Sequence, residues 1–228
     1  MSHSSPEIAA IDRASLQTPY RDLEQQRETA TLGMFVFLLT ELMMFGGLFC
    51  GYLVYRTLYL PSFLEASKHM DLTIGAVNTA VLICSSLTMV LGAQAAQQGR
   101  RKAIVMWLII TILFGCTFLV LKGVEYHHHW ALHEVPGINF NFSSSVPLVD
   151  VGKVQLFFSL YFIMTGLHAL HMLIGLGLVT WITIAAHKGR YSPAYHNPVE
   201  NVGLYWHFVD IVWIYLFPLL YLISRMHT

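Results

Sequence analysis

Five apolar runs, each long enough to cross a bilayer as a helix, leave this chain few ways to fold. They lie at about 31–56, 72–96, 103–122, 154–186 and 202–224, and each meets the requirement of roughly 20 predominantly apolar residues for one helical span. Hydrocarbon offers backbone groups no hydrogen bonds, so a spanning segment must satisfy them internally, as a helix does. The ten-residue alternation that marks a membrane barrel is missing. Composition agrees, with 55% hydrophobic and 11% charged residues and a mean hydropathy of +0.56 over 228 residues. The expected fold class is all-α, an integral membrane bundle of five transmembrane helices. The fourth run is longer than a bilayer needs and predicts a helix that tilts or projects beyond it.

Residues 1–30 carry Arg13, Arg21, Arg27 and five acids without an apolar stretch. They predict a polar cytoplasmic tail rather than a cleaved signal, ahead of a five-helix membrane domain at 31–228. Basic residues set the orientation. With the N-terminus in the cytoplasm, that side receives eight of them, including the compact turn of Arg100, Arg101 and Lys102, and the opposite side receives five. The reading is N-terminus cytoplasmic and C-terminus outside. A net charge of zero gives no electrostatic support for a nucleic-acid partner. Cys50, Cys84 and Cys116 lie singly inside the runs, which speaks against a disulfide framework or a zinc site.

Ionisable groups inside lipid are costly and usually face protein partners. Glu41, in "FLLTELMMFGGLF", sits about ten residues into the first run, roughly 15 Å deep at 1.5 Å per residue. His168 and His171, in "YFIMTGLHALHMLIG", are three residues apart and so share a helix face. His207 and Asp210, in "YWHFVDIVW", repeat that spacing. One reading is a buried cluster that moves protons, binds a metal or receives a lipid headgroup. The other is a set of interhelical hydrogen bonds that fixes the register of the bundle. An isolated carboxyl at the depth of Glu41 calls for a histidine or water beside it.

A haem held by two histidines needs ligands on opposite faces of one iron, which His168 and His171 on one helix face cannot supply. A transition-metal site could draw on His168, His171, His207 and Asp210. His127, His128, His129 and His133, in the long connection 123–153, read as a solvated histidine-rich loop. Gly46, Gly47 and Gly51 of the first run and Gly166, Gly175 and Gly177 of the fourth let neighbouring helices approach closely. Asn78, Ser85 and Ser86 align on one face of the second run. Such helices want protein neighbours, within this bundle or in a larger complex.

The stretches "FLLTELMMFGGLFCGYLVYR", "VNTAVLICSSLTMVLGAQAA", "GCTFLVLKGVEYHHH", "YFIMTGLHALHMLIGLGLVT" and "ENVGLYWHFVDIVWIYLFPLLYLI" together resemble subunit III of the haem-copper oxidases, across about 31–224. The resemblance implies a non-catalytic subunit with no metal or redox cofactor of its own. It would pack against catalytic subunit I and other oxidase subunits, hold phospholipid, support proton uptake and protect the enzyme during turnover, with haem and copper in the partners. Glu41 matches the family's membrane-embedded glutamate, and His168, His171, His207 and Asp210 match polar positions of its last two helices. The longest members have seven helices, and the runs here match the last five. The lipid cleft built around the first two is therefore not carried over. Arg56, Lys122 and Trp206 remain as candidate lipid-headgroup contacts by position. Rival readings are subunit III of a quinol oxidase, an accessory protein of nitric oxide reductase, or a histidine-rich membrane metalloenzyme. Membership of a respiratory supercomplex stays open.

Overall fold

In the computed structural model the described residues are 20–137, 140, 142 and 149–222. Residues 1–19 of the expected tail, with Arg13, and the end of the last run at 223–224, with Arg225 beyond it, lie outside them. Six helices follow in order: α1 Leu23–Leu58, α2 Leu60–Lys68, α3 Leu72–Gln97, α4 Arg101–Ala131, α5 Val151–His187 and α6 Asn197–Tyr221. All but α2 are long and apolar enough to cross a membrane, and the fold is all-helical among the described residues.

Local chemistry sets the ends. Asp22, Asp71 and Asp150 each turn a side-chain oxygen onto amides at the start of α1, α3 and α5, with bonds to Gln25, Thr73 and Gly152 of 2.7, 2.9 and 2.9 Å. These satisfy N–H groups that a first turn leaves without partners. The Asp22 cap starts α1 eight residues ahead of the apolar run, inside the stretch expected to be tail. Pro61 opens α2, a short helix the sequence reading left as a connection, and its fixed φ suits a first turn. α3 and α5 end on Gly99 and Gly189 at φ +68° and +73°, each followed by an arginine amide bonded back to a carbonyl five residues earlier.

α4 requires a correction. Its apolar run ends at 122, where the sequence predicts a histidine-rich loop, yet the helix continues to Ala131 and His127, His128 and His129 form its last turns. Length explains the difference: apolar content marks the part of a helix in lipid, and the helix need not stop at the lipid boundary.

The chain divides into two compact units, and each long helix contributes a stretch to both. One unit comprises the described residues of Met1–Thr40, Ile83–Cys116 and Leu173–Phe208; the other comprises those of Glu41–Leu82, Thr117–Met172 and Val209–Thr228. In the first, Trp206 is fully buried. A Cβ added at Gly115 or Gly175 would come within 2.9 or 3.1 Å of its ring, so the absence of side chains at these two positions lets the indole seat. Its N–H donates to Ser85 Oγ at 3.0 Å. In the second unit an aromatic core of Tyr52, Phe63, Phe118, Phe157, Phe158, Tyr161, Trp213 and Tyr221 is closed to solvent. There Tyr52 donates to the carbonyl of Leu219 at 2.8 Å, one of the last-turn carbonyls that α6 leaves unpaired.

Candidate functional site: polar groups within the membrane helices

Glu41 and His171 meet. Glu41 Oε2 lies 3.0 Å from His171 Nε2, linking α1 to α5, and the opposite ring nitrogen, Nδ1, donates to the carbonyl of Leu167 at 2.8 Å. That second bond leaves Nε2 to face the carboxyl and fixes the ring against Phe45, whose centroid is 5.2 Å away. The Glu41 and His171 side chains are 18% and 10% exposed. The pair therefore sits at the edge of the protein, where α1 covers little of its own surface.

His168 does not join it. One turn before His171, it is packed between Phe118, edge-on at 5.4 Å, and Trp213 at 5.2 Å. Neither ring nitrogen has a hydrogen-bond partner among the described residues. The shared face expected from the spacing of three is real only in the loose sense of one helix side: a 60° difference about the axis sends one imidazole toward α1 and the other into the aromatic core. His207, in the other unit, bonds through Nδ1 to Ser86 Oγ at 2.7 Å, joining α6 to α3. Asp210 is buried. Thus Glu41 and His171 come together, whereas His168 and His207 take separate settings. Both nitrogens of His171 and one of His207 are engaged by protein groups. Among the described residues no three histidine, cysteine, aspartate or glutamate side chains stand close enough to share a metal ion.

The three candidate headgroup contacts also part ways. Arg56 remains half-buried near the end of α1. Trp206 and Lys122 are buried at 0% and 2% exposure and bond within the chain, which removes them from any surface a headgroup could reach.

Lys122 instead anchors a polar ring that sequence reasoning missed. Its ammonium donates to Glu125 Oε2 at 3.0 Å, Tyr161 Oη at 3.0 Å and Tyr221 Oη at 2.7 Å, using all three of its protons. Each tyrosine hydroxyl in turn donates to Glu125 Oε1. Four aromatic faces, those of Tyr126, Tyr161, Trp213 and Tyr221, stand 4.8 to 5.5 Å from the ammonium and favour its charge. The ring ties α4, α5 and α6 together with every polar atom matched, which is the condition for burying an ion pair without a large penalty. The three-residue spacing of Lys122 and Glu125 was readable, but nothing in the sequence announces the two distant tyrosines.

The profile described as Cytochrome c oxidase subunit III matches residues 24–225. A protein named cytochrome c oxidase subunit 3 from Corynebacterium diphtheriae is 33% identical over 222 residues, covering 95% of this chain and 99% of that one. Similarly named proteins from Synechocystis sp. and Thermostichus vulcanus are 34% and 32% identical, covering 84% and 85% of this chain and 74% and 87% of theirs.

Proposed function

Because the chain belongs to the cytochrome c oxidase subunit III family, we propose that it serves a proton-pumping terminal oxidase as a non-catalytic scaffold that steadies the catalytic subunit. It is a bacterial inner-membrane protein and part of a multi-subunit oxidase complex. The observation that carries the scaffold reading is that three sets of its membrane polar groups are spent on bonds between helices. Glu41 pairs with His171, Ser86 with His207, and Lys122 closes a ring with Glu125 and two tyrosines. Groups committed in this way hold helices in register.

The redox work then belongs to haem and copper in partner subunits, catalytic subunit I first among them, with cytochrome c as electron donor in keeping with the names of the relatives. Glu41 and His171, at the partly exposed edge of α1, are the groups best placed to influence proton supply, since both can hold or release a proton. The bare apolar flank of α1 suits phospholipid, with Arg56 as a headgroup contact near its end. The basic residues favour a cytoplasmic N-terminus and an external C-terminus. Gentle detergent purification through a tag on this chain should bring down a haem-containing catalytic subunit with a reduced-minus-oxidised spectrum. Recovery of the chain alone from membranes rich in that oxidase would refute the scaffold reading.

A further inference from the structure

Beyond the membrane-spanning runs, three ionisable residues with no part in the scaffold reading converge where α4 ends. Glu134 presents one carboxyl oxygen to each of two imidazoles: Oε1 lies 2.6 Å from Nδ1 of His69, and Oε2 lies 2.6 Å from Nδ1 of His129. An ionised carboxylate only accepts, so both imidazoles meet it as Nδ1–H donors. His129 and Glu134 are buried, with side chains 1% and 4% exposed, while His69 is open to solvent at 36%.

The backbone builds this meeting. α4 ends like α3 and α5, with the residue after the turn bonded back to a carbonyl five positions earlier, here Glu134 N–H to the carbonyl of His129 at 3.1 Å. Where the other two ends have glycine, this one has His133 at φ +57°, a conformation that is strained for a side-chain-bearing residue. The strained turn folds Glu134 back over His129, and His69, the residue that ends α2, closes on it from the other side. Phe142 packs 4.7 Å from the His69 ring.

We propose that His69, Glu134 and His129 form a proton-sensitive latch that fastens the turn after α4 to the end of α2, closed most firmly in mildly acidic solution and loosened as the pH rises. The charged groups around it fit that role. From α2, Glu65 lies near enough to favour a cation at His69, and Lys68 has its own charge taken up by Glu65 at 2.7 Å. From α4, the His128 ring is 6.1 Å from that of His129. From α5, Tyr161 stands 5.6 Å away, with its hydroxyl already committed to Glu125 and Lys122.

The directions of titration agree. The bond to Glu134 raises His69 above its ordinary 6.5, against a smaller opposing effect of burial. Burial pushes Glu134 upward, but the bonds from His129 and His69 outweigh it and hold the carboxyl at about 2. The His69 contribution is therefore complete below pH 6.5 and lost as pH climbs through its raised value. The Glu134 contribution is complete above pH 4.5 and lost as pH falls through about 2. Both are intact between 4.5 and 6.5. Above that window a neutral His69 keeps at best an uncharged hydrogen bond, about half as strong. Moving its proton to Nε2 would set a lone pair against the carboxylate.

The test is hydrogen exchange at residues 132–137 in the assembled complex, corrected for intrinsic rates, at pH 5.5 and 8.5. Protection should fall by about threefold or more at pH 8.5, as expected for loss of a charge-assisted bond. His69→Gln, which keeps a donor but cannot titrate, should show the weaker protection at both pH values. Equal protection in the unaltered protein at the two pH values would overturn the latch without recourse to any variant, and so would a pH dependence that survives His69→Gln.

Discussion

α1 and α6 are both apolar enough to cross a membrane, yet half of the most apolar window of α6 is buried within the chain, against 6% for α1. α6 inserts Trp206 beside two glycines and Trp213 and Tyr221 into the aromatic core. α1 buries only Phe45 and Tyr52, and its ion pairs to other helices are Glu41 with His171 and an exposed Arg27 with Glu200. The lesson is that apolar content does not separate a protein-facing helix from a lipid-facing one, because acyl chains and leucine side chains are equally apolar. Steric fit does. Gly115 and Gly175 are pressed against Trp206, whereas a Cβ at Gly46, Gly47 or Gly51 would meet nothing within 4 Å. The small residues of α1, expected to admit a neighbouring helix, meet none among the described residues.

The difference can be broken most forcefully at the polar ring beneath α6. Lys122→Ala leaves Glu125 buried without its cation and should cost about 3–5 kcal/mol, read as a fall in the thermal unfolding midpoint of the chain in detergent. Replacing both partners at once, as Lys122→Met with Glu125→Leu, should recover much of that loss. A Lys122→Ala protein that melts like the parent would show that the ring does not hold α4, α5 and α6.

The glycines sharpen the comparison. Gly175→Ala should cost roughly 1–3 kcal/mol through overpacking against Trp206, while Gly47→Ala should stay within about 0.5 kcal/mol in the isolated chain. The reverse order would mean that the indole yields easily and that α1 is the better-packed helix. Glu41→Gln should cost about 1 kcal/mol for one part-exposed bond, less than the loss of the buried ring. It should also leave the haem spectra of the assembled complex unchanged, and a loss of haem signal would assign Glu41 a place at the redox centre.

Much of this was legible beforehand, for identifiable reasons. The five spans could be read because hydropathy over twenty residues is a bulk property. Gly99 and Gly189 stand at helix ends because glycine readily enters the left-handed conformation, and Asp71 and Asp150 precede helices because short carboxyl side chains cap amides, local signals that hydropathy passes over. The end of α4 was illegible for the complementary reason: His133 occupies a position where glycine would have been the signal. A histidine or water beside Glu41 was expected from the cost of a lone carboxyl in lipid, but spacing could not choose between these or between His168 and His171. That choice depends on which helix lies beside each, and the same dependence hid the joining of Lys122 to Tyr161 and Tyr221, which lie 39 and 99 residues further along the chain.

The central claim, that this chain uses its membrane polar groups to hold helices rather than to hold a redox centre, meets its most direct test in elemental analysis and optical spectroscopy. Both would be applied to the oxidase with this subunit present, to the oxidase after its mild removal, and to the purified chain alone. The account predicts that iron, copper and the haem spectrum stay with the stripped oxidase. Iron or copper bound in stoichiometric amount to the chain alone would contradict it.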